Sequence, residues 1–324
     1  MLMPPRISLA FLPTPIQKII YKDFPLSIKR DDLTGMETTG NKIRKLEYIL
    51  ADALAQKAEI IFTTGGEQSN HARATVAACR SLGLDVKLFL WGEPKEVVTG
   101  NIFIDRFLGA DIQYLSYEEF LKADEIMKAE QEKLTAEGRK VYIIPEGGSS
   151  AEGITGYIRF WDELEQQIHL SEIDEVYVAA GSGGTVSGLL VGAALKDIPV
   201  RINAVSVLYS PEVLEEKIRH ILESFITKYA PDLKLPDHQL EIIGGYSSEG
   251  YKQITAEKIA VLRDFAMKTG IILDPVYTGK AFFAFQDRCI ASGAEKKVLF
   301  LHTGGLFGVF EKNREYLQFQ EGLG

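Results

Sequence analysis

Two short segments of the sequence place reactive side chains at spacings that suit chemistry on a carbonyl group. Lys42 and Lys45 stand three residues apart, where a helix is predicted to begin. Further along, a Gly-Gly turn at Gly65 is followed by a polar run through Ser69 and Asn70. A second cation nearby lowers the pKa of a lysine, and the resulting neutral amine can form a Schiff base. The sequence therefore predicts amine chemistry on an aldehyde or ketone.

A third segment has the composition of an anion-binding turn. It follows a predicted strand, opens a helix of small residues, and reads Gly181, Ser182, Gly183, Gly184, Thr185. Glycines let the backbone approach a phosphate, and a helix N-terminus carries partial positive charge. A mononucleotide P-loop is excluded because no Lys-Ser or Lys-Thr follows, and a dinucleotide fingerprint fails because Val186 occupies its third glycine position. A phosphate-bearing aldehyde would use this turn together with the lysines, whereas the alternative is a tight turn without a ligand.

Each of these residues also has an ordinary structural interpretation. Lysines mostly lie on solvated helix faces, and serine and asparagine are frequent helix N-caps. Tyr246 and Tyr277 are predicted to lie on loops next to glycines, although tyrosine is more often a core or interface residue. The functional interpretation requires Lys42, Ser69 and Asn70 to face the same pocket.

Composition excludes several classes of function. The chain has 324 residues, 46% apolar and 25% charged, which is typical of a soluble globular protein of about two domains. A net charge of −9 argues against nucleic-acid and anionic-membrane partners. No apolar run is long enough to span a membrane and no signal peptide is visible, so a cytoplasmic location is expected. The five histidines and two cysteines show no metal-ligand spacing, so no metal is predicted, and Cys79 and Cys289 are expected to be buried.

The alternation of apolar runs with helical patterns predicts an α/β fold. The strand candidates are 59–64, 85–90, 141–144, 175–180, 202–207 and 298–301. Near-continuous apolar strands are typical of parallel sheets covered on both faces, and ligands bind at the carboxyl ends of such strands. Glycine pairs follow four of these candidates, at 65–66, 147–148, 181–184 and 304–305. Several backbone loops are therefore expected to converge on one anionic ligand.

Taken together, these segments resemble the pyridoxal-phosphate enzymes of the tryptophan-synthase-β fold type. The specific motifs are Asn-Lys-x-Arg-Lys-Leu-Glu at 41–47 and Gln-Ser-Asn-His at 68–71, and the likeness runs from residue 12 to residue 305. Within that family the chain is most similar to the branch of 1-aminocyclopropane-1-carboxylate deaminase and D-cysteine desulfhydrase. The resemblance implies pyridoxal 5'-phosphate between two open, twisted, mostly parallel α/β sheet domains. The smaller domain would span 46–160, the larger 1–45 and 161–324, and the enzyme would be a homodimer acting on a small amino acid.

The resemblance also implies a role for each cofactor-binding residue. Lys42 would bind the aldehyde carbon and then move protons, and Asn70 would hydrogen-bond the ring hydroxyl oxygen. Lys45 and the 181–185 turn would bind the phosphate, while Thr303 would face the ring nitrogen.

Substrate contacts are implied in the same way. Ser69 would hold the substrate carboxylate, with Gln68 and Asn70 beside it. Tyr246 and Tyr277 would shape the pocket and act on the substrate, and Tyr277 would also touch the cofactor.

Two positions favour one reaction of this branch over the other. The deaminase pattern resembles Tyr-Glu-Gly-Lys and Leu-Gly-Gly, where this chain has Thr278 and Thr303. A carboxylate can keep a pyridine nitrogen protonated and a hydroxyl offers no such charge, so a weaker electron sink is expected here. That favours β-elimination from D-cysteine, giving pyruvate, ammonia and sulfide. Ring opening to 2-oxobutanoate and ammonia, and an inactive cofactor-binding relative, are the alternatives. The segments 247–250 and 306–308 depart from the family pattern, which leaves the substrate open.

Overall fold

The computed structural model describes residues 3–247, 254–293 and 296–317. Its larger sheet has six strands in the order β1-β2-β10-β7-β8-β9. Their bounds are Ile16–Tyr21 (β1), Phe24–Lys29 (β2), Glu175–Ala180 (β7), Arg201–Ser206 (β8), Leu240–Ile243 (β9) and Val298–Leu301 (β10). Strand β1 pairs antiparallel with β2, and every other pairing in this sheet is parallel.

The smaller sheet has four strands in the order β5-β4-β3-β6, all paired in parallel. Their bounds are Ile60–Gly66 (β3), Asp85–Trp91 (β4), Asp111–Leu115 (β5) and Val141–Ile143 (β6). The predicted fold class, two mostly parallel sheets flanked by helices, is confirmed, and each of the six strand candidates overlaps an observed strand.

Helices connect the strands and cover both sheets. In chain order they are α1 Lys42–Ala55, α2 Asn70–Ser81, α3 Asn101–Phe107, α4 Tyr117–Phe120, α5 Ala123–Ala136, α6 Thr155–Ile158, α7 Phe160–Glu165, α8 Gly184–Leu195, α9 Pro211–Tyr229, α10 Ala256–Thr269, α11 Thr278–Phe285, α12 Leu306–Glu311 and α13 Asn313–Leu317. None of the helices within the described residues is long and apolar enough to cross a membrane.

Alternating side chains along each central strand enter separate cores on the two faces of the sheet. In β7, Val176 and Val178 pack in one core while Tyr177 and Ala179 pack in the other. Burial on both faces explains why these strands read as continuous apolar runs in the sequence. Tyr157 and Phe160 pack in the same core as Val176 and Val178 of β7. The domain boundaries near residues 45 and 160 stay a prediction.

Two glycines let three helices approach closely beside the cleft. A Cβ on Gly188 of α8 would lie 2.5 Å from the Tyr157 Cβ of α6, and a Cβ on Gly156 of α6 would lie 2.5 Å from the Arg44 carbonyl carbon of α1. Both distances are shorter than real Cβ contacts, so glycine is required at each position. Helix α6 therefore holds α1 and α8 close to one another, and the predicted site residues lie at the starts of these two helices.

A buried ionic network ties α1 to the larger sheet. The Arg44 guanidinium donates hydrogen bonds to Asp31, with its Nη2 2.8 Å from Oδ1, and to Glu163, with its Nη1 2.7 Å from Oε2. Lys29 of β2 donates to the same Glu163 carboxylate at 2.5 Å. The Arg44 and Asp31 side chains are 2% and 0% exposed, so these charges are compensated by one another rather than by water.

Candidate active site

The predicted site residues other than Gln68 and Tyr246 converge at the carboxyl ends of strands from both sheets. The pocket there is lined by Asn41, Lys42, Lys45, Ser69, Asn70, His71, Glu146, Gly147, residues 179–186, Leu208, Tyr277, Thr303 and Gly304. Three of the four glycine-bearing turns therefore reach one pocket, as the sequence indicated, while the Gly65–Gly66 pair does not line it. No cluster of three potential metal ligands exists among the residues that the structure describes.

Lys42 begins α1, and its amine is held at the floor of this pocket. The Nζ atom donates a hydrogen bond to Asn41 Oδ1 at 3.0 Å. Withdrawal from water lowers the pKa of Lys42 to about 8, and the nearby Arg73 charge lowers it further, while Glu146 and Asp274 act in the opposite direction. Burial lowers the pKa of Lys42 more than the neighbouring cation does, although the sequence indicated the cation as the main cause. The neutral, nucleophilic fraction of Lys42 is therefore far larger near pH 8 than that of an ordinary lysine.

Lys45 lies one turn further along α1 and is almost fully buried, at 1% exposure. Its Nζ donates to the Gly147 carbonyl at 3.0 Å and to Ser149 Oγ at 3.3 Å. Burial and the Lys42 charge hold the pKa of Lys45 well below its usual value. This ammonium has no carboxylate within ion-pair distance among the described residues, and an anion would stabilise it.

The N-terminus of α8 faces Lys45 across the pocket. Gly183 precedes the helix with a φ of 88°, which glycine adopts readily, and the Gly184 amide at the helix start donates to Ser149 Oγ at 3.2 Å. An added Cβ on Gly184 would lie 2.7 Å from Lys45 Nζ. Thr185 Oγ1 accepts a hydrogen bond from Asn41 Nδ2 at 2.9 Å, which joins the two helix starts. Together the turn and Lys45 form a cradle for a phosphate group.

Ser69 and Asn70 start α2 on the opposite wall. Ser69 is the N-cap of α2, and its Oγ accepts a hydrogen bond from Ala72 N at 3.1 Å. Ser69 also lines the pocket, so it is both a helix cap and a candidate site residue. Asn70 Oδ1 accepts from Asn101 Nδ2 at 3.1 Å. Gln68 does not line the pocket: its Oε1 accepts from Asn101 N at 2.8 Å and its Nε2 donates to Thr99 O at 2.9 Å. Gln68 therefore supports this wall, and its predicted substrate contact stays a prediction.

Tyr277 reaches the pocket from the loop before α11. Asp274 organises that loop, because its Oδ2 accepts from the Val276 and Tyr277 amides at 2.9 and 2.8 Å. Thr278 is fully buried and donates its hydroxyl to Asp274 Oδ1 at 2.6 Å. Because Thr278 does not line the pocket, the argument from a neutral ring partner rests on Thr303 alone.

Thr303 follows β10 and lines the pocket. Its carbonyl accepts from Asn41 N at 3.0 Å, which locks the strand end to the start of α1. A Cβ on Gly40 would lie 2.8 Å from this carbonyl oxygen, so glycine is needed at the contact.

Tyr246 is not brought to the pocket wall. Its hydroxyl donates to Asp287 Oδ2 at 2.6 Å, and its ring packs against the core of the larger sheet. Its role on the substrate stays a prediction, and of the neighbouring atypical segment, residues 248–250 lie outside the described part of the chain.

Sequence reasoning missed Asn101, Glu146 and His71. His71 Nε2 lies 2.9 Å from Thr63 Oγ1, whose own hydrogen goes to the Ile144 carbonyl. The ring therefore donates from Nε2, and Nδ1 is a buried acceptor without a hydrogen-bond partner in the described structure. Burial and both pocket lysines hold the pKa of His71 well below its usual value, so the ring is neutral.

Comparison with known proteins identifies the class. The model of the family described as "Pyridoxal-phosphate dependent enzyme" matches residues 7–304. A Thermotoga maritima protein, provisionally named a 1-aminocyclopropane-1-carboxylate deaminase, is 40% identical over 95% of this chain and 99% of its own. The bifunctional D-cysteine desulfhydrase/1-aminocyclopropane-1-carboxylate deaminase of Arabidopsis thaliana is 36% identical over 94% of this chain and 79% of its own. A crystal structure of an ACC deaminase homologue superposes with a TM-score of 0.89 at 37% identity, covering 97% of this chain and 96% of that one.

The chain belongs to the family of pyridoxal-phosphate-dependent enzymes. More particularly, it is a lyase of the 1-aminocyclopropane-1-carboxylate deaminase/D-cysteine desulfhydrase group. The pocket fits pyridoxal phosphate on its own chemistry: an amine with a lowered pKa at Lys42 suits the aldehyde, and the buried Lys45 with the α8 N-terminus suits the phosphate. When bound, the cofactor supplies an electron sink for the carbanion formed at the substrate's α-carbon.

Lys42 should titrate at an unusually low pH in the cofactor-free protein. Its reactivity toward an amine-labelling reagent, followed by mass spectrometry, should reach half its maximum near pH 8 rather than near the ordinary 10.5. Because the unfolded chain keeps the proton in this interval, the free energy of unfolding should rise from pH 8 to 10.5 relative to Lys42→Met. A midpoint at the ordinary lysine value would contradict the buried geometry.

Lys45→Met should weaken binding of pyridoxal phosphate and spare pyridoxal. Removing one charged hydrogen bond costs about 1.5–3 kcal/mol, so the dissociation constant for pyridoxal phosphate should rise about tenfold to hundredfold. Pyridoxal lacks the phosphate and is the matched control, and its affinity should change little. Equal losses for both compounds in equilibrium dialysis would show that Lys45 does not bind the phosphate.

Proposed function

We propose that this enzyme catalyses β-elimination from D-cysteine, giving pyruvate, ammonia and sulfide. The observation that carries the proposal is Thr303, a neutral hydroxyl on the pocket wall at the end of β10. Glu146 is the acidic side chain among the described lining residues, and it lies on the segment after β6. A hydroxyl partner favours a largely neutral ring and a weaker electron sink.

The weaker sink is matched to a substrate with a good leaving group. In β-elimination the sulfur departs from Cβ as the Cα–H bond breaks, so negative charge does not have to accumulate on the ring. Opening a cyclopropane has no such leaving group and needs the stronger electron sink. The name of the Arabidopsis thaliana relative includes D-cysteine desulfhydrase activity, which supports the elimination reaction.

The positions of the pocket residues would give each of them a separate role in the reaction. Lys42, neutral in part near pH 8, is placed to take the α-proton after binding the cofactor. Ser69 and the first amides of α2 would bind the substrate carboxylate, because a helix N-terminus attracts anions. Tyr277 would close the wall opposite these groups.

A second candidate is the ring-opening deaminase, which yields 2-oxobutanoate and ammonia. The names of the Thermotoga maritima and Arabidopsis thaliana relatives favour it. A homodimer and a cytoplasmic location are carried forward as proposals.

Product analysis with D-cysteine, L-cysteine and 1-aminocyclopropane-1-carboxylate, side by side, tests the choice. D-cysteine should give sulfide and pyruvate with a kcat/KM at least about tenfold above the other two, a difference of about 1.4 kcal/mol in the barrier. Faster formation of 2-oxobutanoate from the cyclopropane acid would reverse the order. No product from any of the three compounds would favour an inactive cofactor-binding relative.

A further inference from the structure

Glu146 stands at the junction of the pocket and a wider outer cleft. It follows β6 and Pro145 and begins the short turn whose Gly147 carbonyl accepts from Lys45. The same side chain lines the outer cleft together with Tyr209 and Lys217. Glu146 is therefore shared by the pocket that holds Lys42 and by the outer cleft.

The surroundings of Glu146 keep it in place and moderate its charge. Tyr209 Oη donates to its Oε2 at 3.3 Å, and Lys217 Nζ lies 4.8 Å from the centroid of the Tyr209 ring. Burial raises the pKa of Glu146, Lys217, Tyr209 and Lys42 oppose that shift, and Asp124 adds to it. The carboxylate is also close enough to raise the pKa of Lys42.

The other charges of the pocket repel the ammonium end of an amino acid. Lys42, Lys45 and the α8 N-terminus attract anions and repel an ammonium group. A free amino acid carries both a carboxylate and an ammonium group, and the ammonium must lose a proton before its nitrogen can act as a nucleophile. Glu146 is the side chain placed to attract that group and to take that proton.

We propose that Glu146 binds the ammonium group of the incoming amino acid and accepts one of its protons, which then passes to water in the outer cleft. One N–H bond breaks and one O–H bond forms on the carboxyl group; that O–H bond then breaks as a solvent water takes the proton, which restores the carboxylate. The inference rests on the proposed function in that it takes the substrate to be a free amino acid. It makes Glu146 a specificity-determining residue that favours amino acids over carboxylic acids without an amino group.

The test compares glycine with acetate on the holoenzyme. Glycine has no leaving group, no ring and no chirality, so its binding is followed through the visible absorption of the cofactor without turnover. In Glu146→Gln the concentration of glycine for half-maximal change should rise about tenfold to hundredfold, as expected for loss of a charged contact. With glycine held at its own half-maximal concentration for each protein, the concentration of acetate that half-displaces it should stay within about twofold, since acetate lacks the group that Glu146 binds.

Two further variants separate this role from a structural one. Glu146→Asp keeps the charge and should restore part of the glycine affinity, whereas Glu216→Gln, an exposed acid lining the same outer cleft, should leave both ligands unchanged. Parallel weakening of glycine and acetate in Glu146→Gln, or no change in either, would overturn the proposal, as would a wild-type spectrum unaffected by glycine. If glycine discrimination holds while D-cysteine gives no sulfide, the proposed elimination fails and the role of Glu146 stands.

Discussion

Lys42→Ala should abolish turnover, with kcat falling about ten-thousand-fold or more, the scale seen when a covalently acting group is removed. The physical reason is that Lys42 lines the pocket with a pKa of about 8, which leaves a usable neutral fraction, and its Nζ makes one hydrogen bond, to Asn41, among the described contacts. Lys45, although nearby, is engaged by Gly147 and Ser149 and cannot replace it. Steady-state assays on D-cysteine and on the cyclopropane acid measure the loss.

The same variant should also lose the covalent link to the cofactor. Borohydride treatment of the wild-type holoenzyme should fix the cofactor on the peptide that contains Lys42, and this mass should be missing from Lys42→Ala. Lys18→Ala is the control, because that lysine is 64% exposed and pairs only with Glu172 in the described contacts. Retention of both turnover and the fixed cofactor in Lys42→Ala would refute the assignment.

Arg44→Met should lower the free energy of unfolding by about 3–5 kcal/mol, because removing one partner of a buried ionic network leaves the others uncompensated. Asp31 would lose two hydrogen bonds from Arg44 at 2.8 Å, and Glu163 would keep only Lys29 as a close cation among the described residues. Since Arg44 lies in the first turn of α1 between Lys42 and Lys45, cofactor affinity should fall as well.

The control for this prediction is an arginine of the surface. Arg139 is 46% exposed and lies 3.2 Å from Glu59 and 3.5 Å from Asp85, so Arg139→Met should change stability by less than about 0.5 kcal/mol. Denaturant unfolding of the cofactor-free proteins gives both values. Similar, small effects for the two variants would mean that the buried network contributes no more than surface pairs do.

The fold could be predicted from local patterns wherever those patterns were strong. Continuous apolar runs and the glycines after them indicated six strands of the two sheets. The β1–β2 hairpin was not predicted, because its turn uses Lys22 and Asp23 at φ values of 49° and 63° instead of glycine or asparagine. Pro25, the second residue of β2, also weakens the strand pattern; it lies opposite Ile20 of β1, and the pairing with β10 begins only at Leu26.

The sequence by itself determined the chemistry of the site. Lys42, Lys45, Ser69, Asn70 and the 181–185 turn are next to glycines or helix starts, where short-range signals reveal both the backbone conformation and the reactive group. Those signals are local because helix caps and tight turns depend on a few consecutive residues.

Only the tertiary structure decided which groups share the pocket and how strongly they perturb one another. Asn101 supports Asn70 from 31 positions away, and the charge of Glu146 acts on the pKa of Lys42, interactions that no short pattern encodes. Tyr246 and Thr278 looked equivalent to Tyr277 and Thr303 in the sequence, yet one donates to Asp287 and the other to Asp274, away from the pocket. Burial, which is a property of the packed chain, lowers the pKa of Lys42 more than the neighbouring charge that the sequence suggested.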